Sequence, residues 1–376
     1  MKWFNLFQQK EIPLKIKSFK STTLIENEEI SFEKNKTNGD KKYHKEFYHL
    51  IKPNNSYTIE KSKLYTLSDV YVLFPYGIIF KDDDVLDESL YNVNVKRLQS
   101  LSQKKNKVIS LRGNIKNAIC VNEPSFLMAG GFSNNYYHWH TDILPRLGAL
   151  EKMNVSKLNI YFSEAKPYQL DSLKYLKDIL DDHHCKFALG KNFLNKHGRL
   201  YKFKTLYYTP FYMGKYPKLS NRLTYFYDDI KNQISSLNNP KTKNIYITRG
   251  NNKRRKLLNE KKLISALKKR WEFLVVNPEE HTYEEQIKMF SNCEIMIGPH
   301  GAGFTNMIFS STNATVIELF PDTYLNIGLQ RLALAKGLNY YYIVGKTLMQ
   351  DSDNKHKLQY EINIDEVVNQ MEKIID

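Results

Sequence analysis

Two stretches of this 376-residue chain hold reactive side chains at spacings that chemistry can use. In the first, an apolar Ser125-Phe126-Leu127-Met128 and a Gly130-Gly131 pair lead into Asn134-Asn135-Tyr136-Tyr137-His138-Trp139-His140-Thr141-Asp142. A helix opening at Asn134 or Asn135 sets His138 and Asp142 one above the other on a single face. A carboxylate that steers an imidazole fixes its tautomer and stabilises the imidazolium, a common way to build a general base. His140, two residues from His138, points elsewhere on such a helix. Arg146, one turn beyond Asp142, offers that carboxylate a rival partner, and Pro145 kinks the helix or ends its first segment. Spacing alone leaves open whether this is a base or a packed His and an Asp–Arg pair.

The second stretch is Ile295-Met296-Ile297-Gly298-Pro299-His300-Gly301-Ala302-Gly303-Phe304-Thr305-Asn306. An apolar run ends on a glycine-rich turn and a helix-like apolar segment follows. A buried parallel strand that delivers a loop to a helix start has this pattern. Glycine there lets the backbone approach a ligand, and N–H groups at the helix start favour an anion. Two further groups fall at neighbouring strand ends: Thr248-Arg249-Gly250-Asn251-Asn252-Lys253-Arg254-Arg255, and Glu318 before Phe320-Pro321. Together they suit a nucleotide diphosphate, with Arg249 and Arg255 for the phosphates, backbone N–H groups beside them, and Glu318 for ribose hydroxyls.

The elements that must position these groups are clearest in the second half. Strands are expected at 244–248, 272–276, 294–297, 315–319 and 340–344. Helices are expected at 259–269, 283–291, after 303, and at 324–336. Such alternation makes a parallel sheet covered on both faces, with ligands beyond the strands' carboxyl ends. Upstream, a strand at 158–162, a helix at 168–180, an aromatic strand at 203–208 and a helix at 219–235 form another α/β unit. A linker, Asn238-Asn239-Pro240-Lys241-Thr242-Lys243, sets the expected boundary: an N-terminal domain over 1–237 and a C-terminal domain over 238–376, the last helix free to pack back on the first. Residues up to about 117 read only as strand-rich. Their Asp82-Asp83-Asp84 reads as solvated acids rather than a metal site, and His183-His184-Cys185 as a polar loop.

A net charge of +16 implies an anionic partner such as a nucleotide, a lipid phosphate or a membrane surface, unless lysine is merely spread over the surface. Nucleic acid is disfavoured because the many tyrosines lie in strand-like runs. Cys120, Cys185 and Cys293 are odd in number and far apart, which suits a reducing, cytosolic-type compartment. No apolar stretch is long enough to span a bilayer and no secretory signal is recognisable. Met1-Lys2-Trp3-Phe4-Asn5-Leu6-Phe7 could graze a membrane surface, although packing on the first domain is the simpler expectation.

Three blocks in order resemble glycosyltransferase family 61: Asn135, His138 and Asp142, with Leu144-Pro145-Arg146-Leu147; Ile247-Thr248-Arg249 with Arg255 and Leu258-Asn259-Glu260; and the run from Gly298 to Asn306 with Val316-Ile317-Glu318-Leu319. The resemblance covers about residues 118 to 345. It implies a GT-B enzyme, two Rossmann-like domains facing across a cleft, that inverts the anomeric carbon of a nucleotide sugar without an obligatory metal or other cofactor. The donor is expected to be UDP-linked, and the acceptor a saccharide or lipid-linked saccharide of a surface polysaccharide. The setting implied is cytoplasmic, with peripheral association at the inner membrane face left open. In this reading His138 is the base and Asp142 orients it, with Asp142 or His140 as alternative bases. Arg249, Arg255, Gly298, His300, Gly301, Ala302, Gly303, Asn306 and Glu318 hold the nucleotide sugar, while Asn135, His140 and Arg146 contact the acceptor or support the base. A nucleotide-sugar epimerase or hydrolase and a basic nucleic-acid-binding protein are the competing functions.

Overall fold

The structure, a computed structural model, describes residues 3–5, 10–12, 20–25, 28–31, 37–48, 56–59, 62–81, 84–86, 89, 115–153, 155, 157–188, 199–209, 222–234, 243–352, 354 and 356–375. Asp82 and most of the expected linker lie outside them. The chain divides into two compact units, Met1–Glu28 with Glu60–Gly214, and Glu29–Ile59 with Lys215–Asp376. Both are mixed α/β, each built on a sheet rich in parallel pairs.

In the first unit, parallel strands run in the order His184–Phe187, Asn159–Phe162, Ser125–Met128, Arg199–Tyr208. His184 and Cys185 thus stand in an edge strand, not in the polar loop expected. From Arg199–Tyr208 the sheet continues antiparallel through Ser62–Phe74, Ile78–Lys81, Asp84–Leu86, Trp3–Asn5 and Lys10–Ile12. Only part of this unit therefore has the parallel character expected of a Rossmann-like domain. Asp84 pairs with Lys81 and Asn5 in that antiparallel part. Val70, Val72, Phe74, Leu127, Phe203 and Leu206 make its dry core, each such side chain contributing about 1.5–3 kcal/mol when fully buried.

In the second unit, parallel strands run in the order Asn339–Gln350, Thr315–Pro321, Ile295–Pro299, Asn244–Ile247, Leu274–Val276. Leu358–Glu361 adds antiparallel to Asn339–Gln350 and carries Lys256–Leu257 beyond it. Side chains alternate across a strand. Ile297, Ile317, Leu319 and Ile343 share one core with Leu263, Leu267, Val367 and Met371. The intervening Met296, Val316, Glu318, Tyr340 and Tyr342 on the other face are buried as well. Continuous apolar runs, rather than alternating ones, follow from this two-sided burial.

Two features depart from the expected domain plan. Helix Arg222–Ile234 belongs with the second unit, so the boundary falls near residue 214 rather than 237. The last helix, Ile364–Ile375, packs on Glu260–Lys268 of its own unit and pairs Glu372 with Arg270. In addition, residues 29–59 leave the N-terminal part of the chain for the second unit. There Thr37–Gly39 adds parallel to Asn339–Gln350, Phe47 stacks on Tyr342 at 3.8 Å, and Arg331 Nη2 donates to Phe47 O at 3.0 Å. Among the described residues no helix is long and apolar enough to cross a membrane.

Candidate active site

The first group of residues stands where the Ser125–Met128 strand ends. Asn135 caps the turn that follows, its side chain accepting from His138 N at 3.3 Å. One α-helical turn, Tyr136–His138, gives way to a π turn, Trp139–Ile143, and then to a 3₁₀ segment, Leu144–Lys152. Pro145 is the physical reason that no regular helix runs through. It has no N–H to give, and its ring would clash with the Thr141 carbonyl in an α-helix. Arg146 meets the irregularity from the side: Nε donates to Asp142 O at 2.6 Å and Nη1 to Ala129 O at 3.1 Å. It thereby ties the turn to the end of the strand.

On this scaffold His138 Nδ1 lies 2.6 Å from Asp142 Oδ2. The Thr141 hydroxyl is 2.8 Å from Asp142 Oδ1 and 2.9 Å from Tyr137 O. Asp142 is buried, whereas the His138 side chain is 20% exposed. A carboxylate on Nδ1–H leaves Nε2 as the basic nitrogen of the neutral ring. Phe132, itself 47% exposed, stacks on the imidazole with centroids 5.3 Å apart. His140 is different: it is fully buried against Tyr136, and burial drags its pKa down to about 3. It is thus a packed neutral imidazole. Arg146 is also buried, and burial lowers its pKa.

The second group gathers at the carboxyl ends of the Asn244–Ile247, Ile295–Pro299 and Thr315–Pro321 strands. Arg249 Nη1 donates to His300 O at 2.8 Å, and Arg255 Nε approaches the same oxygen at 3.4 Å. Burial brings the Arg249 pKa down to about 10, with Arg255 adding to it, and burial lowers Arg255 too. Both guanidinium groups are partly buried and converge on one carbonyl oxygen. Arg255 adopts a left-handed φ of 52° and lies over the Tyr324 ring at 4.9 Å. Its Nη1 is 3.4 Å from His356 Nδ1. Glu260 stands near Arg249, and burial raises its pKa.

The glycines of the turn have steric reasons. A Cβ on Gly298 would lie 2.2 Å from Ile247 O, and one on Gly301 would lie 2.0 Å from Arg249 Nη1. A Cβ on Gly303 would crowd Pro278 and Ile247 at 3.1 and 3.2 Å. The segment Ala302–Phe309 that follows is 3₁₀ rather than α-helical. Its opening N–H groups still lack acceptors within the helix.

The structure gives two expected nucleotide contacts other tasks. Asn306 is fully buried, its amide donating to Gln286 Oε1 at 2.8 Å and Gly303 O at 3.1 Å, so it braces the turn from inside. Glu318 is also fully buried, with one oxygen on His300 Nδ1 and the other accepting from the Tyr340 hydroxyl at 2.6 Å. It thereby holds His300 in place. Thus Asn135, His138, His140, Asp142 and Arg146 fall together in the first unit. Arg249, Arg255, Gly298, His300, Gly301, Ala302, Gly303, Asn306 and Glu318 fall together in the second. Among the described residues no three His, Cys, Asp or Glu side chains cluster as metal ligands would.

Tyr324, Tyr340 and His356 join the second group without having been singled out in the sequence. Tyr340 had one signal: period two in the Asn339–Gln350 strand puts it on one face with Tyr342. His356 had none, since it reaches Arg255 through a turn between two strands.

Residues 136–317 match the family model described as Glycosyltransferase 61. Protein O-linked-mannose beta-1,4-N-acetylglucosaminyltransferase 2 of Homo sapiens is 29% identical over 109 residues, 27% of this chain and 18% of the relative. EGF domain-specific O-linked N-acetylglucosamine transferase of Gallus gallus is 37% identical over 92 residues, 23% of this chain and 17% of the relative. The Drosophila melanogaster protein of the same name is 26% identical over 259 residues, 63% of this chain and 48% of the relative. The chain spans less than half the length of each of these relatives.

Proposed function

Since residues 136–317 match the Glycosyltransferase 61 model, we propose that the protein moves a sugar from a nucleotide donor to a saccharide acceptor with inversion at the anomeric carbon. The observation that carries this reading is the pair of desolvated guanidinium groups, Arg249 and Arg255, converging on His300 O beside a glycine turn. Two partly buried guanidinium groups held side by side repel one another and are favourable around a diphosphate.

In the proposed reaction the acceptor hydroxyl gives its proton to His138 Nε2 as its oxygen bonds the anomeric carbon. The bond from that carbon to the phosphate oxygen breaks, and its electron pair leaves on the diphosphate. Asp142, held by Thr141, stabilises the imidazolium. Arg249 and Arg255 meet the charge that grows on the leaving group, the work a divalent ion does elsewhere. We propose a GT-B arrangement for this chemistry, the first unit supplying base and acceptor contacts and the second holding the nucleotide. The donor proposed is UDP-linked, and the relatives' names make N-acetylglucosamine the first sugar to test. The acceptor proposed is a saccharide, free or lipid-linked, of a surface polysaccharide, met in the cytoplasm at the inner membrane face. The net charge of +16 supports approach to acidic headgroups there.

Calorimetry with UDP tests the reading. Arg249→Ala is expected to weaken UDP binding by on the order of 1.5–3 kcal/mol, the worth of a hydrogen bond to a charged group. Unchanged affinity in a folded variant refutes the assignment. Release of free sugar or an epimer in place of transfer makes the protein a hydrolase or epimerase instead.

A further inference from the structure

The His300–Glu318 pair is built for something other than an anion. Glu318 is fully buried and commits both oxygens inside the protein, one to His300 Nδ1 and one to the Tyr340 hydroxyl. A carboxylate that takes the Nδ1 hydrogen makes Nε2 the lone-pair nitrogen of the neutral ring. Two guanidinium groups already sit on the carbonyl of the same residue, so a third positive charge on the imidazole is opposed. Burial is the larger influence: it pulls the His300 pKa below the ordinary value, against Glu318 and with Arg255 and Arg249. The ring plane is fixed as well, by Phe320 stacked at 4.8 Å and Tyr324 tilted at 5.7 Å. His300 retains 7% exposure, and no described residue makes a hydrogen bond to its Nε2. A neutral lone-pair nitrogen repels a phosphate oxygen and welcomes a hydroxyl.

Building on the nucleotide-sugar reading above, we infer that His300 Nε2 accepts a hydrogen bond from a hydroxyl of the donor, on its ribose or its transferred sugar. Tyr340 and Glu318 are the positioning residues that present it. Sequence spacing assigns the hydroxyl-reading role to Glu318; the geometry moves it by one link, to the imidazole that Glu318 holds. The arginines then take the phosphates and His300 a neighbouring hydroxyl, so one turn reads both charge and sugar. A donor lacking that hydroxyl leaves a partly buried acceptor unpaired, and the site discriminates against it.

The test is calorimetric binding of four probes to the full chain: UDP, 2′-deoxy-UDP, 3′-deoxy-UDP and UDP-N-acetylglucosamine. His300→Asn keeps an amide nitrogen for Glu318 and removes Nε2. Tyr340→Phe removes only the hydroxyl that steadies Glu318. If the ribose is read, one deoxy-UDP binds wild type about 5- to 100-fold more weakly than UDP. His300→Asn then weakens UDP by a similar factor and leaves that deoxy analogue unchanged. If the transferred sugar is read, both deoxy analogues match UDP, and His300→Asn weakens only UDP-N-acetylglucosamine. In either case Tyr340→Phe shows the same ligand selectivity with a smaller loss, and it carries the comparison should the Asn variant fail to fold. Equal losses for all four probes, or no loss, overturn the inference alone. Failure of wild type to bind both UDP and UDP-N-acetylglucosamine overturns the donor reading and the inference with it.

Discussion

His140 offers the sharpest measurement, because it separates a packed imidazole from a working one. It is fully buried, and burial takes its pKa from an ordinary 6.5 to about 3. Unfolded, the same ring binds a proton below about pH 6.5; folded, it binds one only near pH 3. Between those values the unfolded state holds the extra proton, so stability falls as pH falls. At pH 5 the unfolded ring is about 1.5 pH units below its midpoint while the folded ring is still neutral. At about 1.36 kcal/mol per unit, the native state has lost about 2 kcal/mol by then. His140→Gln removes the titration and keeps a polar side chain of similar size. Urea unfolding of both proteins at pH 7.5 and pH 5 isolates the effect, since every other titrating group is common to them. The variant is expected to be the less stable at pH 7.5, with the gap closing by about 2 kcal/mol at pH 5. A gap of equal size at both values refutes the buried neutral imidazole and returns His140 to the candidates for the base.

The remaining expectations concern turnover and the nucleotide. His138→Ala should slow transfer by roughly two to four orders of magnitude with UDP affinity nearly intact, and Asp142→Asn should slow it too; near wild-type rates in His138→Ala discard the assignment. Gly301→Ala drives a methyl into Arg249 Nη1. The variant should therefore keep its melting temperature, because the guanidinium can swing away, yet lose UDP affinity by calorimetry; equal UDP affinity would show that Arg249 need not sit on His300 O. Transfer should persist in excess chelator, and loss restored by manganese would make the reaction metal-dependent.

How much was legible depended on which forces left a mark in the chain. The parallel sheet of the second unit could be read because strands buried on both faces are plain apolar runs, as in Ile295–Pro299 and Thr315–Pro321. The His138–Asp142 pairing could be read because four-residue spacing joins side chains even though the turn there is π rather than α. The irregularity itself was announced by Pro145 but not its form. The partners of Glu318 could not be read, since a lone acid in an apolar strand does not name them and the Tyr340 that donates to it lies one strand away. Nor could the bond from Asn306 to Gln286, which joins two helical segments 20 residues apart. The antiparallel half of the first unit and the excursion of residues 29–59 depend on pairings between distant short segments, which no local periodicity records.

That excursion bears on how the molecule comes into being. Asp40 O accepts from the Tyr342 hydroxyl across 302 residues of chain, and Phe47 meets Tyr342 and Phe320 at a comparable remove. A ribosome therefore releases the Thr37–Gly39 strand and Phe47 long before the strand that receives them exists. Until then an aromatic side chain and an unpaired strand edge wait in solvent, where they invite association with other chains. Contacts of such long range also slow folding, because the loop must close before they stabilise anything. The second unit expressed from residue 215 onwards would lack this strand altogether, leaving Tyr342 and Arg331 without their covering.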